Sequence, residues 1–590
     1  MTEIIYELTK YLPEDEGNEE IQTDDIKADN VISIKFSNKY QYQGIEAEEF
    51  ESQEKLLFKK IASNIYLTPT IVATGKDARK VVKHIVNSLK KLSNFSNTAF
   101  GILRVVKKDE TRKVVEDELN LKLKEYSQSG SKKILVSLKV DGRYLAEIPD
   151  VKDAVALYFK EGARFGYRDG VCSLCGERKK VSGNNSPYTF YTIDKPGYIA
   201  SGLDPRNAWK NFPVCFDCRL KLDKAKKFIE THLKFTFARS VKYTLIPAFY
   251  TEDVNFGKTV LSVFKEGTKN INLNQKTHEK LNDGERIIKY VAEKYNQDDS
   301  FSLNFLFVDK VNSKQDIKLL LRDVYPSRIK LVFDYRAWVN GFVDKIFSLT
   351  SHPKNRPEEY YITMENLIDF FTNRYNGSLI DFPFESEFYQ IVHKIFVGIP
   401  YDEDVLFRIF MLSLLKLFRS GEDKLFYKET LVSYFLYIFI DLCCNGGVVM
   451  DIDFSNINTL DDFLNNFKGL SGDPVLKGIF LVGVITQRVI EYQLSNGKNP
   501  LLTDLVITKE QLQQIFVKVR EKLMQYGILG KKEKLILSEA SKYMSLSSDW
   551  DLSVNKISYY FSLGLGMKGI VYDFLFFKEK KKKEVGYGHS

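Results

Sequence analysis

Four cysteines stand in two Cys-x-x-Cys pairs, Cys172 with Cys175 and Cys215 with Cys218. That spacing lets one tight turn present two thiolates to one ion, and two such turns complete a tetrahedral sulfur shell. Cys172, Cys175, Cys215 and Cys218 are therefore the expected ligands of a structural Zn2+ ion. A redox dithiol is the rival use of a single pair; two pairs in one interval favour metal. Four thiolates leave no open position for water, so the ion would clip the fold together and would not hydrolyse substrate.

A second group of residues could meet a polyanion. From Gly75 to Leu92, apolar Ala78, Val81, Val82, Ile85, Leu89 and Leu92 recur at helical spacing. Lys76, Arg79, Lys80, Lys83 and Lys90 share the opposite side, with Asp77 as the lone acid at the start. This nearly single-sign face could track phosphates, and an ordinary solvated helix face explains it equally well. Lys221, Lys224, Lys226 and Lys227, on a helix expected from Leu220 to Leu233, pose the same choice.

Other chemistry finds little support. The six histidines are scattered. His84 and His232 fall in helices and read as packing residues. Gly564-Leu565-Gly566-Met567-Lys568-Gly569 matches a dinucleotide fingerprint, but it follows a helix where the phosphate cradle needs a strand. Asp451 and Asp453 offer two carboxylates without a third acid or a histidine nearby, a weak start for a two-metal nuclease. No Ser-His-Asp set can be assembled. The chain is expected not to be an enzyme.

The totals set the frame. A chain of 590 residues exceeds one core and suggests two to four domains. A net charge of +8 permits a polyanionic partner without requiring one. Cys443 and Cys444 end an apolar helix and read as packing residues, so the cysteine usage fits a reducing, cytoplasmic setting. The start lacks a basic signal-peptide region, and the most apolar run, Leu431 to Leu442, is too short to span a bilayer.

The elements that must position these residues fall into two halves. Val31 to Phe36 alternates like a half-buried strand, and Ile134 to Val140 is expected to turn at Asp141-Gly142 into a return strand, Tyr144 to Ile148. Strands follow at Val241 to Tyr250 and Ser300 to Val308, with a helix from Asp283 to Tyr295 between them. From Ser327 the pattern turns helical, with Asp423 to Cys444 apolar on all sides past Leu431 and stopped by Asn445-Gly446-Gly447. The tail from Lys578 to Lys583 reads as a disordered basic run. The fold class is α+β: a mixed N-terminal half with an inserted zinc module, then an all-α helical-bundle half. The expected domains are 1–167, mixed α/β; 168–221, the zinc module; 222–326, the rest of the α/β region; 327–449, helical; and 450–590, a C-terminal bundle.

One order of residues is more specific than any of these patterns. Cys172-Ser173-Leu174-Cys175-Gly176-Glu177 is followed by aromatic Tyr188 to Tyr191, by Asp194-Lys195-Pro196-Gly197, and by Ala208-Trp209-Lys210 leading to Pro213-Val214-Cys215-Phe216-Asp217-Cys218. This resembles the large-subunit family of type I-B CRISPR Cascade complexes, over about a tenth of the chain, with a similar layout around it. The resemblance implies a non-catalytic subunit that recognises the protospacer-adjacent motif in duplex DNA and helps open the strands. It implies CRISPR RNA, target duplex DNA and other Cascade subunits (backbone, 5′-end-binding and small) as partners, and a recruited helicase-nuclease that cuts. It also implies that the C-terminal bundle is made separately as a small subunit from an internal start, for which Met450 is the candidate. A metal-dependent nuclease and a zinc-stabilised scaffold without DNA contact are the alternatives.

Overall fold

The computed structural model describes residues 1–13, 24, 26–52, 55–62, 65–75, 77–128, 133–161, 168–183, 205–267, 281–297, 299–311, 314–349, 356–375, 378–447, 454, 457–546 and 550–586. The chain forms two compact units: residues 1–232 with 253–261 and 309–317, and residues 233–252, 262–308 and 318–590.

The first unit is built on the strand Ile134–Val140, buried at every position. A strand buried on both faces reads as a continuous apolar run and needs a partner along each edge. One edge is taken in parallel by Asn30–Phe36, which pairs Asn30 with Ile134 and Phe36 with Val140. The other is taken by the short antiparallel Ile71–Val72. Tyr42–Glu49 completes the path outside Asn30–Phe36. A parallel pair requires a long crossover; helices Ala78–Leu92, Asn97–Val106 and Asp109–Gln128 lie within it.

The expected hairpin is therefore only partly formed. Asp141 and Gly142 do turn with positive φ. The return strand, however, is just Arg143–Tyr144. The Glu147 carboxylate accepts from the Tyr144 backbone N–H at 2.7 Å, and Leu145–Glu147 curls into a 3-10 turn.

Helix Ala78–Leu92 sorts its faces as its spacing predicts. Ala78, Val81, Val82, Ile85, Leu89 and Leu92 are buried in the sheet-side core. Asp77 caps the helix, its carboxylate accepting from the Lys80 N–H at 2.7 Å.

Most of a second sheet, in the order Lys234–Ala238, Val241–Phe249, Phe301–Val311, Lys314–Val324, belongs to the second unit. Its inner face is aromatic, with Tyr243, Phe305 and Phe307 in contact. Helices Pro326–Ser348, Glu403–Arg419, Asp423–Asn445, Pro474–Ser495 and Val554–Gly586 follow among others. Asp423–Asn445 is buried on all sides from Thr430 to Cys444, and Gly446 ends it.

Helices Pro474–Ser495 and Val554–Gly586 cross at glycine. A Cβ on Gly483 would fall 2.1 Å from the Phe561 carbonyl oxygen, and one on Gly564 would fall 2.0 Å from that of Phe480. Two glycines of the literal dinucleotide fingerprint, Gly564 and Gly566, are thus helix-packing residues, and the third, Gly569, faces open space. Side chains on either side of residue 450 share this core: Phe407 stacks on Tyr559 at 4.6 Å between ring centres, and Phe342 meets Phe467 at 6.0 Å.

The backbone of Val554–Gly586 stays helical through Lys578 to Lys583, where the sequence suggests disorder. Lys and Glu are good helix formers, and a helix already nucleated by its buried half adds one hydrogen bond per residue fixed.

Candidate metal centre

The module that carries the cysteines is a three-stranded sheet, Val214–Cys215, Arg178–Ser182 and Arg168–Val171 in that order. The first pair sits on the turn joining Arg168–Val171 to Arg178–Ser182. Across this turn the Cys172 N–H donates to the Glu177 carbonyl at 3.0 Å and the Gly176 N–H to the Cys172 carbonyl at 2.9 Å. Gly176 takes φ of +71°, a left-handed conformation that glycine adopts without strain.

The second pair sits where the strand Val214–Cys215 passes directly into helix Phe216–His232, with Cys218 in its first turn. The helix starts earlier than Leu220, where sequence spacing puts it. The early start aims the positive end of the helix at the sulfurs. The two turns are stitched together by the Ser173 N–H donating to the Pro213 carbonyl at 2.8 Å. Trp209 lies over the sheet: a Cβ on Gly170 would fall 3.1 Å from its ring.

The four sulfurs converge within 4.8 Å of one another. In a tetrahedral shell with Zn–S of about 2.3 Å, neighbouring sulfurs lie about 3.8 Å apart. Cys175 Sγ and Cys215 Sγ are 3.9 Å apart. Cys172, Cys215 and Cys218 are buried, and all four are free of disulfides. The residues therefore fit a closed, four-thiolate metal site. Among the described residues, this is the one grouping of His, Cys, Asp and Glu that could hold a metal.

The electrostatics favour a cation. Burial pushes the Cys172 thiol up, but the backbone N–H groups of Cys175, Cys215 and Leu174 outweigh it and bring the thiol down to about 7. Burial raises Cys215 and Cys218, and charge on the neighbouring sulfurs adds to it. Several thiolates crowded together repel one another, and a divalent ion at their centre removes that penalty.

Around the sulfurs, the Cys215 N–H points at Cys172 Sγ at 3.3 Å. Tyr6, from the first helix of the chain, meets Lys221 of helix Phe216–His232: the Lys221 ammonium donates to its hydroxyl at 3.5 Å. Lys179 pairs with Glu177 at 2.6 Å and lies 3.5 Å from Asp217.

The basic residues are placed less uniformly. Arg79, Lys80, Lys83 and Lys90 are all exposed on helix Ala78–Leu92. Lys80 lies 3.3 Å from Asp77, and Arg79 lies 3.9 Å from Glu116. Lys83 and Lys90 lie two turns apart on the outer face. Lys76 falls outside the described residues, as do Asp451, Asp453, Met450 and the aromatic stretch from Tyr188 to Tyr198. His84 and His232 pack on rings, Tyr66 at 5.3 Å and Phe228 at 5.0 Å between centres. Among the described residues, no helix is long and apolar enough to cross a membrane.

A search of curated proteins finds no match to the chain. Family models do match. Residues 1–156 match the N-terminal domain of the CRISPR-associated protein TM1802 (cas_TM1802), residues 169–324 its central domain and residues 362–583 its C-terminal domain. The central match takes in all four cysteines. The three matches run in order and cover most of the chain, which therefore belongs to the CRISPR-associated TM1802 family, the large subunits of type I-B complexes.

Proposed function

We propose that this chain recognises the protospacer-adjacent motif in duplex DNA within a type I-B Cascade complex and helps open the duplex. Cleavage is left to a recruited helicase-nuclease. CRISPR RNA, the backbone, 5′-end-binding and small subunits, and target DNA are its partners. Guide pairing supplies the long readout, so protein need read only a few base pairs and hold strands by their phosphates.

The observation that carries this reading is the sorted helix Ala78–Leu92. One side is sunk in the sheet core, and the other presents Lys83 and Lys90 from a rigid support. Family membership supplies the setting. The metal, taken as zinc from its four-thiolate shell, is a clip with no open coordination position. Pairing of Arg79 and Lys80 with acids favours a second reading, a scaffold whose basic face is merely solvated.

The test is duplex opening, read by permanganate reactivity of thymines next to the motif, with the complex assembled with and without this chain. Opening should require both the chain and the motif; equal reactivity without the chain refutes the proposal. The purified chain should leave DNA intact in Mg2+, and cleavage by it alone would establish an enzyme.

A separate product starting at Met450 belongs to the same proposal. It would contain the crossed helices Pro474–Ser495 and Val554–Gly586, and would bare the Tyr559 face that here meets Phe407. Amino-terminal sequencing of a smaller co-purifying species tests it; a full-length species alone counts against it.

A further inference from the structure

Helix Pro326–Ser348 carries an arginine on its buried side. Arg336 is 1% exposed, and its Nη1 donates to the Glu285 carboxylate at 2.6 Å. Among the described residues, Nε and Nη2 of the same guanidinium have no acceptor. A buried charged donor left unpaired is costly, and native proteins answer such groups with an acceptor.

Arg336 borders a cavity of about 30 Å3. A space of about 10–15 Å3 holds one water-sized atom, so the cavity admits two or three. Its walls are apolar, with Ile288, Phe305, Val332, Phe333, Met364 and Phe396 among them. At one end stand the exposed Thr236 and the partly exposed Glu285, which give the cavity a way out to solvent.

The chemistry of the open guanidinium edge selects the occupant. Nε–H and Nη2–H point the same way along one side of the guanidinium plane and match the two oxygens of a carboxylate. Water is a poorer match. Each molecule needs two to four polar partners, and the six wall side chains offer only the weak thioether of Met364. Charge does not oppose an anion here. Glu285 lies in the first turn of helix Asp283–Lys294, and its second oxygen accepts from the Asn282 N–H at 3.0 Å. Its charge is divided between the positive helix start and Arg336, which leaves the guanidinium able to hold a second carboxylate.

We propose that this cavity binds a carboxylate in a two-pronged hydrogen bond with Arg336 Nε and Nη2, while Glu285 holds the guanidinium through Nη1. The volume admits the carboxylate group and little beyond it. The ligand is therefore formate-sized, or it is the tip of an acidic side chain that a partner subunit presents through the Thr236 end. The proposal does not depend on DNA binding and stands if the chain reads no motif.

The experiment uses the full chain, with formate as the probe. Saturation transfer from protein protons to the formate proton is measured for the parent, Arg336→Lys and Val332→Ile. Arg336→Lys keeps a cation for Glu285 and loses the two-pronged edge. Val332→Ile keeps Arg336 and puts one more methylene into the cavity. Circular dichroism and thermal melts establish that each variant folds. The parent should bind formate at millimolar concentration, Arg336→Lys about 10-fold more weakly, and Val332→Ile more weakly as well. Benzoate, too large for the cavity, should not compete. Repeating the measurement on the assembled complex identifies the source: a retained signal marks a free ligand, and a lost one marks a carboxylate supplied by a partner subunit. Should Arg336→Lys fail to fold, Val332→Ile decides. No transfer in the parent, undiminished binding by a folded variant, or benzoate competing as well as formate overturns the proposal.

Discussion

Neutralising Lys83 and Lys90 together is the perturbation that separates a phosphate-gripping face from a solvated one. The structure decides which cations to count. Arg79 and Lys80 each have a carboxylate within 4.0 Å, so part of their charge is already answered. Lys83 and Lys90 are exposed on one rigid helix. They lie about 10.5 Å apart along its axis at 1.5 Å per residue, close to three steps of about 3.4 Å along one DNA strand. Each phosphate contact contributes about 0.9 to the slope of log affinity against log salt. Losing two should flatten that slope by about 1.8. Between 50 and 200 mM salt, the Lys83→Gln/Lys90→Gln complex should then lose about 12-fold less affinity than the parent over the same interval. The assay is fluorescence anisotropy of a labelled target duplex, titrated with guide-loaded complex at four or five salt concentrations. A slope within about 0.5 of the parent's would refute the reasoning, because two lost phosphate contacts cannot leave counterion release unchanged.

Metal retention should depend on pH with a definite sign. The folded state holds the Cys172 thiol down to about 7, below its ordinary value. Its stabilising contribution is therefore present above the ordinary thiol range and lost as pH falls through about 7. The affinity of the ion-free site for zinc, titrated against a competing chelator, should fall on acidification through that window, and a flat profile from pH 8 to 6 would contradict the assignment. At the helix crossing, Gly483→Ala should destabilise the bundle by about 1–3 kcal/mol, because its Cβ meets backbone that cannot step aside. Gly569→Ala, in the partner helix Val554–Gly586 with nothing within 4 Å, should be neutral or stabilise by about 0.5–1 kcal/mol. Thermal melts of the two variants check the contrast; equal melting points would remove the crossing as a constraint.

What could be read ahead of the structure, and what could not, divides by range. Cys-x-x-Cys is a local geometric statement, and two copies of it converge as the spacing requires. The period of Ala78 to Leu92 reports which side is buried without reporting what buries it. The strand Ile134–Val140 shows the limit. A turn at Asp141-Gly142 is visible locally, yet its main partner is Asn30–Phe36, across a long crossover that leaves no mark in either segment. Lys314–Val324 escaped notice because charged residues interrupt its alternation, and Lys234–Ala238 because it is only five residues long and follows a helix with a single residue between. Tyr6 is the extreme case: nothing in Thr2–Leu8 says that its tyrosine meets Lys221 of helix Phe216–His232.

The claim on which the account turns is that this chain reads the bases flanking the target. The measurement is a selection from duplexes with a constant guide-matched segment and randomised flanking base pairs, captured by complex assembled with and without the chain. The account predicts a short enriched motif on one flank that vanishes when the chain is left out. Flanks that stay random with the chain present, or an identical motif in its absence, would contradict it.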